Sequence, residues 1–207
     1  MFTSSHAPAS AQSSRKAIPF LASALLLGAL LGATISLAQA TREPRVAPLE
    51  SAQGINIIRT LAKHPDLSAA WTPFAGYILQ GNTLPARDRE MLILRTGFLR
   101  DAAYEWGHHA RIARELGFSD EEILGIAKGA NASVWSSFER ALIRAADELN
   151  RDAYISERTW AYLDARYDEK QLIDVIFTVG QYNLVSMVVK TLRIELDEGL
   201  EAFPEVD

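Results

Sequence analysis

From about position 50 onward, apolar residues recur at three- and four-residue spacing, the pattern of helices that each bury one stripe. Ile55, Ile58, Leu61 and Ala62 form the first stripe, in a helical pattern that begins at Glu50. A break at His64-Pro65, with Asp66 as N-cap, opens a segment carrying Leu67, Ala70, Trp71, Phe74 and Ile78 that ends at Gly81-Asn82. Pro85, at a first-turn position, starts a third helix through Leu99, with Met91, Leu92, Leu94 and Phe98 toward the core. A fourth is predicted over Asp101–Leu116 and stopped by Gly117, and Ser119-x-x-Glu122 is a capping box for a short fifth ending near Gly129. Further helices are predicted over Trp135–Arg151, Ser156–Arg166 and Glu169–Leu196, the last opened by Asp168-x-x-Gln171. With no hairpin signal and little strand alternation, the predicted fold class is all-α.

The last helix is apolar nearly all the way round, from Leu172, Ile173 and Val175 to Met187, Val188 and Val189. Such a helix is expected to be covered on every side, centrally or in a subunit interface, so a homo-oligomer is expected. Sliding the chain by 49 positions sets Glu90, Ile93, Leu94 and Arg95 on Glu139, Leu142, Ile143 and Arg144, and Phe118, Ile123 and Leu124 on Tyr167, Leu172 and Ile173. Such matches, mostly apolar for apolar, follow either from a duplication or from the packing constraints of a helical bundle; the same offset sets Glu105 on Tyr154 and His109 on Arg158, so any active site belongs to the first of the two segments.

Residues 1–40 follow other rules. Arg15 and Lys16 precede an apolar run from Ile18 to Leu37, closed by Ala38-Gln39-Ala40, the small-x-small pattern of a signal peptidase site. The expected organisation is a signal peptide over 1–40, a linker over 41–49 and one helical domain over 50–207, with a periplasmic or secreted destination. The run is also long enough to cross a bilayer, so an uncleaved leader would make a membrane the partner. Cleavage after Ala40 takes two of the 21 basic residues and none of the 26 acidic ones, moving the net charge from −5 to −7 and disfavouring nucleic acid as a partner. The chain has no cysteine, which excludes disulfides, thiolate metal sites and thiol catalysis.

The chemistry that remains concentrates in Ala103-Tyr104-Glu105-Trp106-Gly107-His108-His109. On a helix Glu105 and His109 share a face, and a carboxylate beside an imidazole orients the ring and favours its charged form. His109 is therefore a candidate proton shuttle, against the simpler reading of a surface pair. Glu105-x-x-His108 has carboxylate-bridged metal spacing, but such sites need a second copy on another helix, and none exists here, so no metal is expected. Arg87, Arg95 and Arg111 are candidates to clamp an anionic substrate, or else ordinary helix charges. Trp71, Phe74, Tyr77, Tyr104 and Trp106 are candidates to line an apolar pocket, or else core.

The stretch Leu84-Pro85-Ala86-Arg87-Asp88-Arg89-Glu90-Met91-Leu92-Ile93-Leu94-Arg95, with Tyr104-Glu105-Trp106-Gly107-His108-His109 and Gly117-Phe118-Ser119-Asp120-Glu121-Glu122-Ile123, resembles the carboxymuconolactone decarboxylase family, which includes the alkylhydroperoxidase D-like proteins. The resemblance spans about Pro65 to Leu196. It implies a homo-oligomeric helical bundle of the alkylhydroperoxidase D-like type, no cofactor, a small-molecule substrate, and His109 and Glu90 as the family's histidine and glutamate. The two cysteines of the peroxidase branch fall on Ala102 and Glu105, so thiol peroxidase activity is excluded. What remains is acid/base chemistry by His109 with Glu90 and Glu105, decarboxylation or a related proton transfer on a small lactone or carboxylate. The alternative is a non-catalytic helical oligomer that binds a small hydrophobic ligand or a partner protein.

Overall fold

The computed structural model describes residues 43–204, so the leader and its cleavage site lie outside the described residues. Among the described residues, eight α-helices and one π-helical turn follow in order: α1 Asn56–Leu61, α2 Pro65–Gly76, the π turn Tyr77–Gly81, α3 Ala86–Leu99, α4 Ala103–Glu115, α5 Asp120–Lys128, α6 Ser137–Asp152, α7 Glu157–Asp164 and α8 Glu169–Leu192. No strand occurs among them, and the all-α fold is as the periodicity predicts.

Local chemistry sets most of the boundaries. The capping boxes at Ser119/Glu122 and Asp168/Gln171 both form, and a third at Ser136/Glu139 opens α6. Gly117 and Gly129 take φ of +88° and +91°, where a Cβ is strained. Three boundaries differ from the sequence reading. The first helix starts at Asn56 rather than Glu50. His64, not Asp66, caps α2, because its Nδ1 accepts from the Leu67 N–H and Pro65 fills the first turn. The last helix stops at Leu192, where Arg193 turns left-handed, rather than running to Leu196. The backbone N–H of Arg45 donates to the Leu192 carbonyl.

Helix α3 is the central element, packed on α4, α5, α6 and α8, with Met91, Leu92, Ile93 and Leu94 all fully buried. It carries three arginines that separate into two kinds. Arg87 is pinned between Glu122 and Glu139. Arg95 donates to Asp147 at 2.6 Å and to the Ile126 and Ala127 carbonyls at 2.9 and 2.7 Å, closing the end of α5 against α6. Arg89 makes no such contact. The 49-residue offset corresponds to element order: α3, α4 and α5 align with α6, α7 and α8, and the capping box at 119/122 falls on the one at 168/171.

Within one chain, helix α8 is covered on one side only. Within the chain, Leu172, Val175, Val179, Tyr182, Val185 and Val189 are buried, while Ile173, Ile176, Phe177, Leu184 and Met187 form an exposed apolar stripe. Phe74 of α2 meets Phe177 on that stripe, and α2 has no buried residue of its own. After α8 the chain returns across α4. Asp197 accepts from the Tyr104 hydroxyl at 2.6 Å and from the Asn56 N–H, and Phe203 packs against Phe98 and Trp106.

Replacing Arg95 by Met should strand Asp147 and two buried carbonyls, with a cost of about 3 kcal/mol. Urea denaturation is expected to show the corresponding drop in midpoint; an unchanged midpoint contradicts this structural role for Arg95.

Candidate active site

The α3–α4 hairpin brings the candidate residues together. Its turn is tight: Asp101 takes φ 52° and the Ala102 N–H donates to the Gly97 carbonyl at 2.9 Å. Gly97 packs against the first turn of α4, where a Cβ would stand 3.4 Å from the Glu105 Cβ, an ordinary contact. Two turns back along α3 lies Glu90, fully buried. One turn on from Glu105 lies His109, whose Nδ1–H donates to Glu90 Oε2 at 2.6 Å. The opposite ring nitrogen, Nε2, stands 3.8 Å from Glu105 Oε2. The edge-to-face ring of Tyr182, from α8, closes over the imidazole at a centroid distance of 4.8 Å, and Tyr182 is itself packed by Ile78 of the π turn and Ile93 of α3.

Burial and charge act in opposite senses on this row of groups. For His109 burial opposes the charged ring, but the Glu90 carboxylate, by field and hydrogen bond, and Glu105 more weakly, lift its pKa above the ordinary 6.5. Burial pushes the Glu105 carboxyl up to about 7, with His109 pulling the other way. Burial and the two carboxylates raise the Tyr182 phenol well above its ordinary value, so it stays neutral. The arrangement is an imidazole committed through Nδ1 and facing, through Nε2, a carboxyl that titrates near neutrality. Groups tuned in this way suit proton transfer at pH 7.

Of the residues read from the sequence, Glu90, Glu105 and His109 converge. The others go elsewhere, for reasons that lie in their partners. The guanidinium groups of Arg87 and Arg95 are occupied by internal acids and carbonyls, so neither is free to clamp a substrate. Arg111 is exposed. Trp106 is core, between Phe98 and Phe203 at 5.7 Å each. The Tyr104 hydroxyl donates to Asp197 while accepting from the Ile57 N–H, and Tyr77 donates to Asp174. Phe74 joins the exposed stripe of α8. Trp71 does line an apolar cavity of about 100 Å³, with Ile57, Leu61, Leu67, Leu184, Val185 and Val188, and Val185 lies one turn along α8 from Tyr182. His108 turns away from the site to Asp197, at 2.9 Å.

The sequence reading missed Tyr182. Tyr182 is the one phenol on a long and mostly aliphatic helix, which is a usable signal. Among the described residues no group of three or more His, Asp or Glu side chains converges to hold a metal ion.

Residues 65–148 match the model of the carboxymuconolactone decarboxylase family. A search of the curated proteins finds no match. Among solved structures, the chain is similar to a cysteine-to-alanine variant of the debrominase Bmp8 in complex with 2,3,4-tribromopyrrole, at TM-score 0.65 and 16% identity over 74% of this chain and 91% of that one. An uncharacterized peroxidase-related protein from Silicibacter sp. TM1040 gives TM-score 0.65 and 16% identity over 76% and 94%. A protein of unknown function from Agrobacterium tumefaciens, described as an antioxidant defence protein of the AhpD kind, gives 0.62 and 19% over 66% and 94%. These likenesses establish a common fold.

Because the folded pKa of Glu105, about 7, lies above the 4.5 of a free carboxyl, the fold prefers the protonated form. Its contribution is complete below about pH 4.5 and is lost as pH rises through about 7. Glu105→Gln should therefore be more stable than the parent at pH 8, by at most about 3 kcal/mol, and lose that advantage by pH 5. Thermal melts at the two pH values check this, and an identical pH dependence in both proteins contradicts it.

Proposed function

Because residues 65–148 match the model of the carboxymuconolactone decarboxylase family, we propose that the chain belongs to that family and is an acid/base enzyme acting on a small lactone or carboxylate, with His109, Glu90 and Glu105 as its catalytic groups. The observation that carries the reading is the buried row Glu90, His109, Glu105, with one ring nitrogen held and the other facing a carboxyl that titrates near 7. A debrominase of this fold holds a small ring compound, which supports a substrate of similar size. Thiol chemistry is not available, since the chain has no cysteine.

The favoured reaction is decarboxylation. The bond from the substrate carbon to its carboxylate breaks, carbon dioxide leaves, and the electron pair passes into a conjugated carbonyl to give an enolate. The imidazolium of His109, held charged by Glu90, stabilises that negative charge, and the protonated carboxyl of Glu105 delivers a proton to the enolate carbon. Solvent then reprotonates Glu105. Tyr182, backed by Ile78, covers the ring of His109 and lowers the polarity around it, which strengthens its interaction with the enolate.

The chain is exported, with its leader removed after Ala40, on the strength of the sequence pattern over 1–40. A second copy of the chain covers the apolar stripe of α8, which a lone copy leaves open to water.

Turnover of β-keto acids and unsaturated lactone carboxylates, followed across pH 5–9, tests the reading. His109→Gln is expected to lower kcat by about 10²–10⁴-fold and Glu105→Gln to remove the decline in rate above about pH 7 along with most of the activity. Full turnover in His109→Gln contradicts the assignment.

A further inference from the structure

Among the three arginines of α3, Arg89 has unfinished chemistry. Its side chain is only 13% exposed, and its buried Nε–H meets no acceptor among the described residues. The nearest carboxylate oxygen, Glu90 Oε1, is 3.7 Å away, too far for a hydrogen bond, and is itself buried without a partner. Two turns along the same helix, Arg95 is saturated by one acid and two carbonyls, and Arg87 by two acids. A buried guanidinium N–H without an acceptor, 3.7 Å from the one carboxylate oxygen near it, is costly, and an arriving anion that accepts from it would remove that cost.

Position points the same way. Arg89 lies one turn before Ile93, so the two share a face of α3, and Ile93 packs against Tyr182, the ring that covers His109. The field of Arg89 reaches both His109 and Tyr182, opposing the ring's charge and favouring the phenolate. Opposite it stands Glu90, whose own charge is taken up by His109. The planar fork of an arginine matches a carboxylate better than any other side chain does.

We propose that Arg89 is the substrate-binding residue that receives the carboxylate of a small organic acid and so sets the enzyme's preference for anionic over neutral substrates. The proposal rests on the acid/base reading of this site, because it is that chemistry which gives the carboxylate its place beside His109. Esters and amides of the same acids are poor substrates, since they leave the guanidinium unpaired and bring no charge to it.

The test uses binding, so it stands apart from whether turnover is found. 2-Furoate, a ring-sized carboxylate, and its uncharged methyl ester are titrated calorimetrically into the parent protein and into Arg89→Met, Arg89→Lys and His109→Gln. The parent and His109→Gln are expected to bind 2-furoate, Arg89→Met to bind it at least tenfold more weakly, and Arg89→Lys to fall between. The weak binding of the ester should be the same in all four. Thermal melts separate binding from bracing: losing an unpaired buried charge should leave the midpoint of Arg89→Met equal or higher, whereas a guanidinium that merely supported Glu90 would lower it. Equal 2-furoate affinity in the parent and Arg89→Met overturns the proposal, as does a parent that fails to bind 2-furoate, or a lowered midpoint. Full turnover by His109→Gln alongside loss of 2-furoate binding in Arg89→Met would refute the catalytic assignment while supporting the role of Arg89.

Discussion

A carboxylate with no access to water and an imidazole almost as deeply buried can coexist only if their charges are paired, and the 2.6 Å contact between Glu90 Oε2 and His109 does this. The rest of the site follows from that pairing. It fixes which ring nitrogen is free, and it keeps the ring charged against the pull of burial. It also requires α3 and α4 to lie close enough for residues 19 positions apart to meet, which the tight turn at Asp101 permits. Tyr182 and Ile78 then close the site from α8 and the π turn.

The internal similarity sharpens the point. The two triplets α3–α4–α5 and α6–α7–α8 share a capping box and core positions, yet only the first carries the buried row of Glu90, His109 and Glu105. In the second triplet the residue matching Glu90 is Glu139, and it is spent on Arg87 and on capping α6. The same acid in the same register holds a buried imidazole in one half and an arginine and a helix cap in the other.

What could be read from the chain depended on how local the cause was. Caps and boundaries at Ser119, Asp168, Gly117 and Gly129 were legible because each depends on a few adjacent residues. The Glu105/His109 face was legible from helical spacing, whereas Glu90 was reached only through family resemblance, since nothing local ties it to a histidine 19 positions on. Arg87 and Arg95 read as anion clamps because their partners, Glu122, Glu139 and Asp147, are supplied by other helices. Arg89 has no local signal in the chain, because what sets it apart, a buried Nε–H without an acceptor, depends on how the helices pack around it. The apolar helix α8 read as fully covered, and a single chain covers only one side of it.

The most direct measurement is nitrogen NMR of the His109 ring across pH. A ring governed by Glu90 should carry protons on both nitrogens at pH 6.5 and titrate above that value, and in Glu90→Gln it should become neutral and titrate lower, because burial then acts unopposed. A His109 that is neutral at pH 6.5 in the parent protein, with a titration that Glu90→Gln leaves unmoved, would contradict the account.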